Sequence, residues 1–338
     1  VELESKTLAP ASAESLVFNL SNLPKGRRVS AFVLEVDATI TGSANPTVFR
    51  PEDLAAKFSF IEHNSDFAKI RADGYLLDRL THHSYGKKIN NAAQTYTVAA
   101  VPSRLFLRID LADQRLINPN DGAIPCELLN GKTIEVKTAA GTVPNTSQGG
   151  ALTLTFTTAV CRLHAIVIEG AGLIDPVATR IDYEDWGGQT AILKPGAYLY
   201  LGVYKTSGAL VTNAEIARAI LNMEGSPVID NILAEMLVEE FNARSVAGGF
   251  EDNNAEQLSD ASYPFFPWVT PMQGVKIASL PMAEKAGSVT AKFSGTATSA
   301  RFYYRLVEFK DAAQVKSAFI AQKSPTDPAD FVRTLKTV

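Results

Sequence analysis

The sequence is poor in the residues that most catalytic and metal sites need. Four histidines and two cysteines stand among 338 residues. Cys126 and Cys161 cannot make a disulfide scaffold. Both lie in apolar, β-like contexts and read as buried thiols. Charge of one sign is also lacking. Lys and Arg number 32 against 36 Asp and Glu, a net charge of −4. A surface that coats nucleic acid carries a basic patch, and the basic groups here, "GRR" at 26–28 and "KK" at 87–88, are small and read as solvated rim. No run reaches the roughly 18 apolar residues of a membrane-spanning helix. The opening "VELESKTLAP" has no charged region followed by an apolar stretch, so no signal peptide is expected. The chain is expected to be made in a reducing cytosol.

Chemical motifs are missing too. Nothing matches a nucleophile elbow, a P-loop or a zincin helix. "EGAGLID" supplies only G-x-G, too little for a dinucleotide site. His82 and His83 are adjacent, so their side chains diverge on a strand or a helix and suit one metal ion badly. His63 has Glu62 and Asp66 nearby, and is expected where a strand turns into a helix. His164, in "RLHAIVI", reads as a buried or half-buried structural histidine. Asp182, Glu184 and Asp185 in "IDYEDWGG" invite a Ca²⁺ loop but lack its spaced oxygen ligands and glycine. A solvated loop is the better reading, as it is for "FEDNNAEQLSD" at 250–260. The aromatic "YPFFPWVTP" at 263–271 suits a core or subunit interface better than a sugar platform, and its prolines place it on an edge or loop. No catalytic, cofactor-binding or metal-binding residue is expected, and no cofactor.

What the sequence does have is length, apolar content and alternation. At 46% hydrophobic and 20% charged it is the composition of a folded chain, and 338 residues suggest two domains. Segments of period two recur: "VSAFVLEVDATI" 29–40, "TYTVAAV" 95–101, "RLFLRIDL" 104–111, "KTIEVKTA" 132–139, "ALTLTFTTAV" 151–160, "LHAIVIEG" 163–170, "AYLYLGVY" 197–204, "SVTAKFSG" 288–295 and "RFYYRLVEF" 301–309. Turn signals such as "PNDG", "LNGK" and "WGG" separate them. Short strands at this spacing indicate a sandwich or barrel, and the helices of a parallel β-α-β sheet are absent.

Two stretches fit helix spacing. "FAKIRADGYLLDRL" puts Phe67, Ile70, Gly74, Leu77 and Leu80 on one stripe. "VIDNILAEMLVEEF" does the same with Ile229, Ile232, Leu233, Met236, Leu237 and Phe241. Thr212 with Glu215 has the capping-box pattern ahead of "IARAIL". "DAAQVKSAFIAQ" 311–322 and "PADFVRTLK" 328–336 read as short C-terminal helices.

The chain also repeats itself. "LPKGRRVSAFVLEV" 23–36 matches "LKPGAYLYLGVY" 193–204 at an offset of 170. "AAKFSFIEHNSDFAKIRADGYLLDRL" 55–80 matches 216–241 at 161, and "IPCELLNGKTIEVK" 124–137 matches "LPMAEKAGSVTAKF" at 156. Pro125 aligns with Pro281, and Gly131 with Gly287. Three matches in one order indicate a tandem duplication of a domain. The seam is expected near "EGAGLIDP" 169–176.

A β-sandwich with one long helical connection is a jelly-roll plan. The expected fold is therefore all-β: two tandem jelly-roll β-barrels with short helices in the connections and at the C-terminus. The expected boundaries are 1–170, 171–310 and a helical tail at 311–338. Carried by the duplicated stretches just quoted, the pattern resembles the double jelly-roll major capsid proteins of tailless icosahedral bacteriophages with an internal lipid membrane.

That resemblance implies a homotrimer whose six similar barrels form a pseudohexagonal tile. It implies partners among neighbouring capsomers, minor capsid or vertex proteins and the internal membrane, with no direct nucleic-acid site. It implies a virion location after synthesis in the host cytoplasm. Segments 1–14 and 311–338 become candidate arms. The longest candidate loops, near 139–150 and 244–262, are modest, so low outer decoration is expected. Two other readings stay open: a carbohydrate- or receptor-binding jelly-roll module using "YPFFPW", and an enzyme on a cupin-like scaffold, which scattered histidines disfavour.

Overall fold

The computed structural model describes residues 1–8, 12–41, 47–49, 55, 57–74, 76–78, 81, 94–96, 101–112, 122–139, 143–145, 150–169, 178–185, 191–193, 196–205, 216–223, 226–233, 265–269, 280–282, 287–293 and 300–308. The chain folds into two compact units.

In the first unit the strands are β1 (Glu2–Leu8), β2 (Ser15–Asn19), β3 (Arg27–Thr41), β4 (Thr47–Phe49), β5 (Phe60–Asn64), β6 (Ala68–Ala72), β7 (Gln94–Tyr96), β8 (Val101–Asp110), β9 (Ile124–Pro125), β10 (Thr133–Lys137), β11 (Val143–Asn145) and β12 (Gly150–Glu169). A short helix, α1 (Cys126–Leu129), precedes β10. Two antiparallel sheets form, ordered β1-β12-β3-β8 and β6-β5-β10-β2. The eight principal strands pair first with last (β1 with β12), then β2 with β10, β3 with β8, and β5 with β6. That is one long hairpin. It is rolled so that β12 also pairs β3, and β10 also pairs β5. This topology is a jelly roll.

The second unit repeats it. Its strands are β13 (Ala178–Asp185), β14 (Ala191–Leu193), β15 (Gly196–Lys205), β16 (Ile216–Met223), β17 (Ser226–Leu233), β18 (Phe265–Val269), β19 (Leu280–Met282), β20 (Gly287–Phe293) and β21 (Ala300–Glu308). Again the hairpin runs β13 with β21, β14 with β20, β15 with β18, and β16 with β17. Again the last strand, β21, pairs the third, β15, and β20 pairs β16. The double jelly-roll fold is thus present, and the three sequence matches fall on equivalent elements. Pro125 of β9 lies opposite Arg28 at the start of β3, and Pro281 of β19 lies opposite Ala197 at the start of β15.

The core of the first unit follows from alternation. Phe32, Leu34 and Val36 of β3, Leu105, Leu107 and Ile109 of β8, and Cys161 and Leu163 of β12 face inward. Phe18, Ile61, Ile70, Ile134 and Val136 meet them from the other sheet. Each large aliphatic or aromatic side chain so buried contributes about 1.5–3 kcal/mol. Gly26 precedes β3 at φ +70° and Gly131 precedes β10 at φ +77°, backbone conformations that L-residues adopt at a cost.

The helical readings need correction. Residues 68–72 form β6, not helix, with Ala68, Ile70 and Ala72 buried and Lys69 and Arg71 half-buried. A tight turn at Ser65 makes the hairpin, its N–H donating to the Ala68 carbonyl at 2.9 Å. Helical hydrogen bonding starts only at Asp73, whose Oδ1 accepts the Leu76 N–H at 2.7 Å. Residues 216–223 and 226–233 are likewise the hairpin β16–β17. Val228, Ile229 and Ile232 are β-branched and favour an extended backbone, and Pro227 resists helix upstream. Residues 234–241, the terminal helices at 311–322 and 328–336, and the seam at 170–176 lie outside the described residues.

Two other expectations change. The segments 151–160 and 163–169 are one continuous strand, β12, paired along nearly all of β3. The connections 42–59 and 73–100 exceed the loop at 139–150 in length, and they meet each other through the β4–β7 pair.

Candidate assembly surface

The outward face of sheet β1-β12-β3-β8 carries a row of charge. Alternation turns Glu35 and Asp37 of β3, Arg104 of β8, and Arg162 and His164 of β12 to that side. Register puts Asp37 opposite Arg104 and Glu35 opposite Arg162. Arg104 Nε lies 2.5 Å from Asp37 Oδ1 and 3.4 Å from Glu35 Oε1. Arg162 Nη1 bonds Asp37 Oδ2 and lies 3.4 Å from Glu35 Oε1. His164 Nε2 is 2.8 Å from Glu35 Oε2. The Arg104 hydrogen bond, with that of Arg162, holds the Asp37 carboxyl below its ordinary pKa. Farther along β8, Arg108 bonds Asp110 at 2.6 Å. Paired charges of this kind stiffen a face and set which surface it accepts more than they add stability.

The edge strand β2 is guarded. Glu4 Oε2 accepts the backbone N–H of Asn19 at 2.7 Å, a bond that lowers the Glu4 pKa. An occupied edge amide obstructs stray strand pairing. On the same sheet Val17 is an exposed apolar residue, and Lys137 sits over the Phe60 ring at 5.0 Å.

The residues singled out in the sequence do not converge. His63 is buried in β5, on a hairpin and not at a strand-to-helix junction. His164 is half-buried in the charge row. His82, His83, "KK" 87–88 and "FEDNNAEQLSD" lie outside the described residues. The acidic trio is strand, not loop: Asp182 is buried in β13 and accepts the Tyr183 N–H, while exposed Asp185 pairs with Arg301 at 3.1 Å. Among the described residues no group of three His, Cys, Asp or Glu side chains is placed to hold a metal ion. Arg27 pairs with Glu169 at 2.6 Å, and Arg28 donates to the Ala123 carbonyl. Cys126 and Cys161 are both buried and free. In the aromatic stretch, Phe265–Val269 pairs with β15, and Pro267 lies opposite Gly202. Among the described residues no helix is long and apolar enough to cross a membrane. The charge row was missed from sequence. Its trace there is charge at alternate positions in "LEVD" and "CRLH", and in "RLFLRID" with Phe106 interrupting the series.

No protein-family model matches the chain, and no curated protein sequence matches it. Solved structures do. The chain is similar to the major capsid protein of Sulfolobus Turreted Icosahedral Virus, with TM-score 0.55 and 10% identity over 92% of this chain and 98% of that one. A second structure of that virus gives 0.57 and 10% over 99% and 98%. The PBCV-1 virus capsid gives 0.53 and 8% over 90% and 92%. At these identities the likeness is one of fold, and the fold shared is the double jelly roll of viral major capsid proteins.

Proposed function

We propose that the chain is a major capsid protein whose work is self-association into an icosahedral shell. One observation carries this: the same eight-strand order occurs twice in one chain. Three such chains around an axis present six similar barrels, so a threefold assembly fills a pseudohexagonal tile. The barrels are read as 1–170 and 171–310, followed by a tail at 311–338. The nearest partners are other copies and neighbouring capsomers. Minor capsid or vertex proteins and an internal membrane are further partners on this reading, and the protein resides in the virion capsid after synthesis in the host cytoplasm. The likeness to viral capsid proteins supports the reading, and it assigns the chain no reaction.

The test is native mass with negative-stain imaging. Three copies of the 36.4 kDa chain give a trimer of about 109 kDa that packs into hexagonal plates. A stable monomer that binds glycans would overturn the proposal.

A further inference from the structure

His63 is almost fully enclosed, 1% exposed, in the interior of the first barrel. Its Nδ1 lies 2.8 Å from the Thr133 carbonyl at the start of β10. A carbonyl only accepts, so Nδ1 carries the proton of the neutral ring. Nε2, 3.1 Å from Ser65 Oγ, then accepts from the Ser65 hydroxyl. The ring also lies 6.5 Å from the Phe32 ring of β3.

We propose that His63 makes the first barrel acid-sensitive. A proton taken from solvent onto Nε2 places an uncompensated charge between the two sheets and weakens the end where β5 turns into β6. The geometry lets the proton in without breaking a hydrogen bond. Nε2–H then donates to Ser65 Oγ, and the hydroxyl turns to the Ala68 carbonyl, already 3.1 Å away. Among the described residues no counter-charge faces the ring. From β3 the ring meets Phe32, from β6 its register partner is Ile70, and from β10 it meets Thr133. Glu62 on its own strand points to the opposite face, and Asp66 on the turn is exposed. Burial holds the His63 pKa below its ordinary value; the hydrogen bond to Thr133 opposes this, and the like charge of Lys132 adds to it. The equivalent hairpin of the second unit, residues 216–233, contains no histidine. The sensitivity therefore belongs to one barrel of the pair, and it does not depend on the chain being a capsid protein.

The sign follows from linkage. The folded ring binds its proton less readily than the unfolded one, so stability is whole above about pH 6.5 and falls as the pH drops below it. The experiment is denaturant unfolding of the full chain from pH 8 to pH 5, wild type against His63→Gln. Wild type loses up to about tenfold in its folded-to-unfolded ratio per pH unit below 6.5 beyond what the variant loses. Parallel curves overturn the proposal. Should the variant not fold, ¹³C-labelled histidine spectra of the wild type decide. A His63 ring that stays neutral well below pH 6.5 supports the proposal, and a ring that titrates at the ordinary value overturns it.

Discussion

Arg104 and Asp37 face each other across β8 and β3, with Nε 2.5 Å from Oδ1. Asp37 also receives Arg162 from β12, so one carboxylate ties three strands on one face. Asp37→Asn keeps the shape and removes the charge. It is expected to cost about 1 kcal/mol at pH 7, in line with partly exposed pairs joined in a network. The Asp37 pKa is lowered in the fold, so its contribution is present above the unfolded value near 4 and is lost as pH falls below it. The stability gap between wild type and variant should narrow between pH 5 and pH 3. A gap that stays constant would show that the pairing contributes nothing.

Gly74 has no room for a side chain. An added Cβ would lie 2.3 Å from the Ala55 carbonyl oxygen and 2.9 Å from Phe58 Cβ. The neighbouring carbonyl is backbone, and the Gly74 N–H is itself held by the Phe58 carbonyl at 2.7 Å. Gly74→Ala is expected to cost about 1–3 kcal/mol through overpacking. Gly26→Ala has open space around it, so its cost, about 1 kcal/mol, comes from the positive φ alone. Thermal melts of the two variants should rank Gly74→Ala as the less stable, and the reverse ranking would refute the clash.

Lys57 is buried, and its Nζ donates to the Ala139 carbonyl, while the Ala139 N–H returns to the Lys57 carbonyl at 2.9 Å. The clasp ties the segment before β5 to the chain leaving β10. Burial pulls the Lys57 pKa down, and Glu14 opposes the shift. Lys57→Met keeps the aliphatic stem and removes the donor, so it should lower stability by about 1.5–3 kcal/mol. Hydrogen exchange at the Ala139 amide should quicken as well. Unchanged exchange would show that the clasp holds nothing.

The duplication was legible because its markers are backbone markers. Gly26 and Gly131 serve positive-φ turns, and Pro125 and Pro281 sit on short strands that cap β3 and β15, so their spacing survives where side chains have diverged. The hairpins β5–β6 and β16–β17 were misread as helix because apolar residues four apart occur on one face of a strand as well as of a helix. Ile70, for example, serves both patterns. Strand pairing across the hairpin decides such cases, and no local window contains it. The charge row was illegible for a related reason. Glu35 and Asp37 of β3, Arg104 of β8 and Arg162 of β12 come from three stretches far apart in sequence and become neighbours only through the registers of β3 with β8 and β12.

The thiols offer a test of how tightly the first barrel is closed. Cys161 points inward from β12 and Cys126 opens α1, and both are fully buried. Burial is the main cause that pushes the Cys161 thiol up to about 12 and the Cys126 thiol up to about 11. A thiol must ionise and be reached before it attacks a disulfide reagent. At pH 8 the native protein should therefore release no thionitrobenzoate from Ellman's reagent over minutes, and the unfolded protein should release two equivalents per chain. If His63 loosens the barrel in acid, labelling with an acid-active pyridyl disulfide should quicken below pH 6 in wild type more than in His63→Gln. Rapid labelling of the native protein at pH 8 would show that the barrel opens without acid.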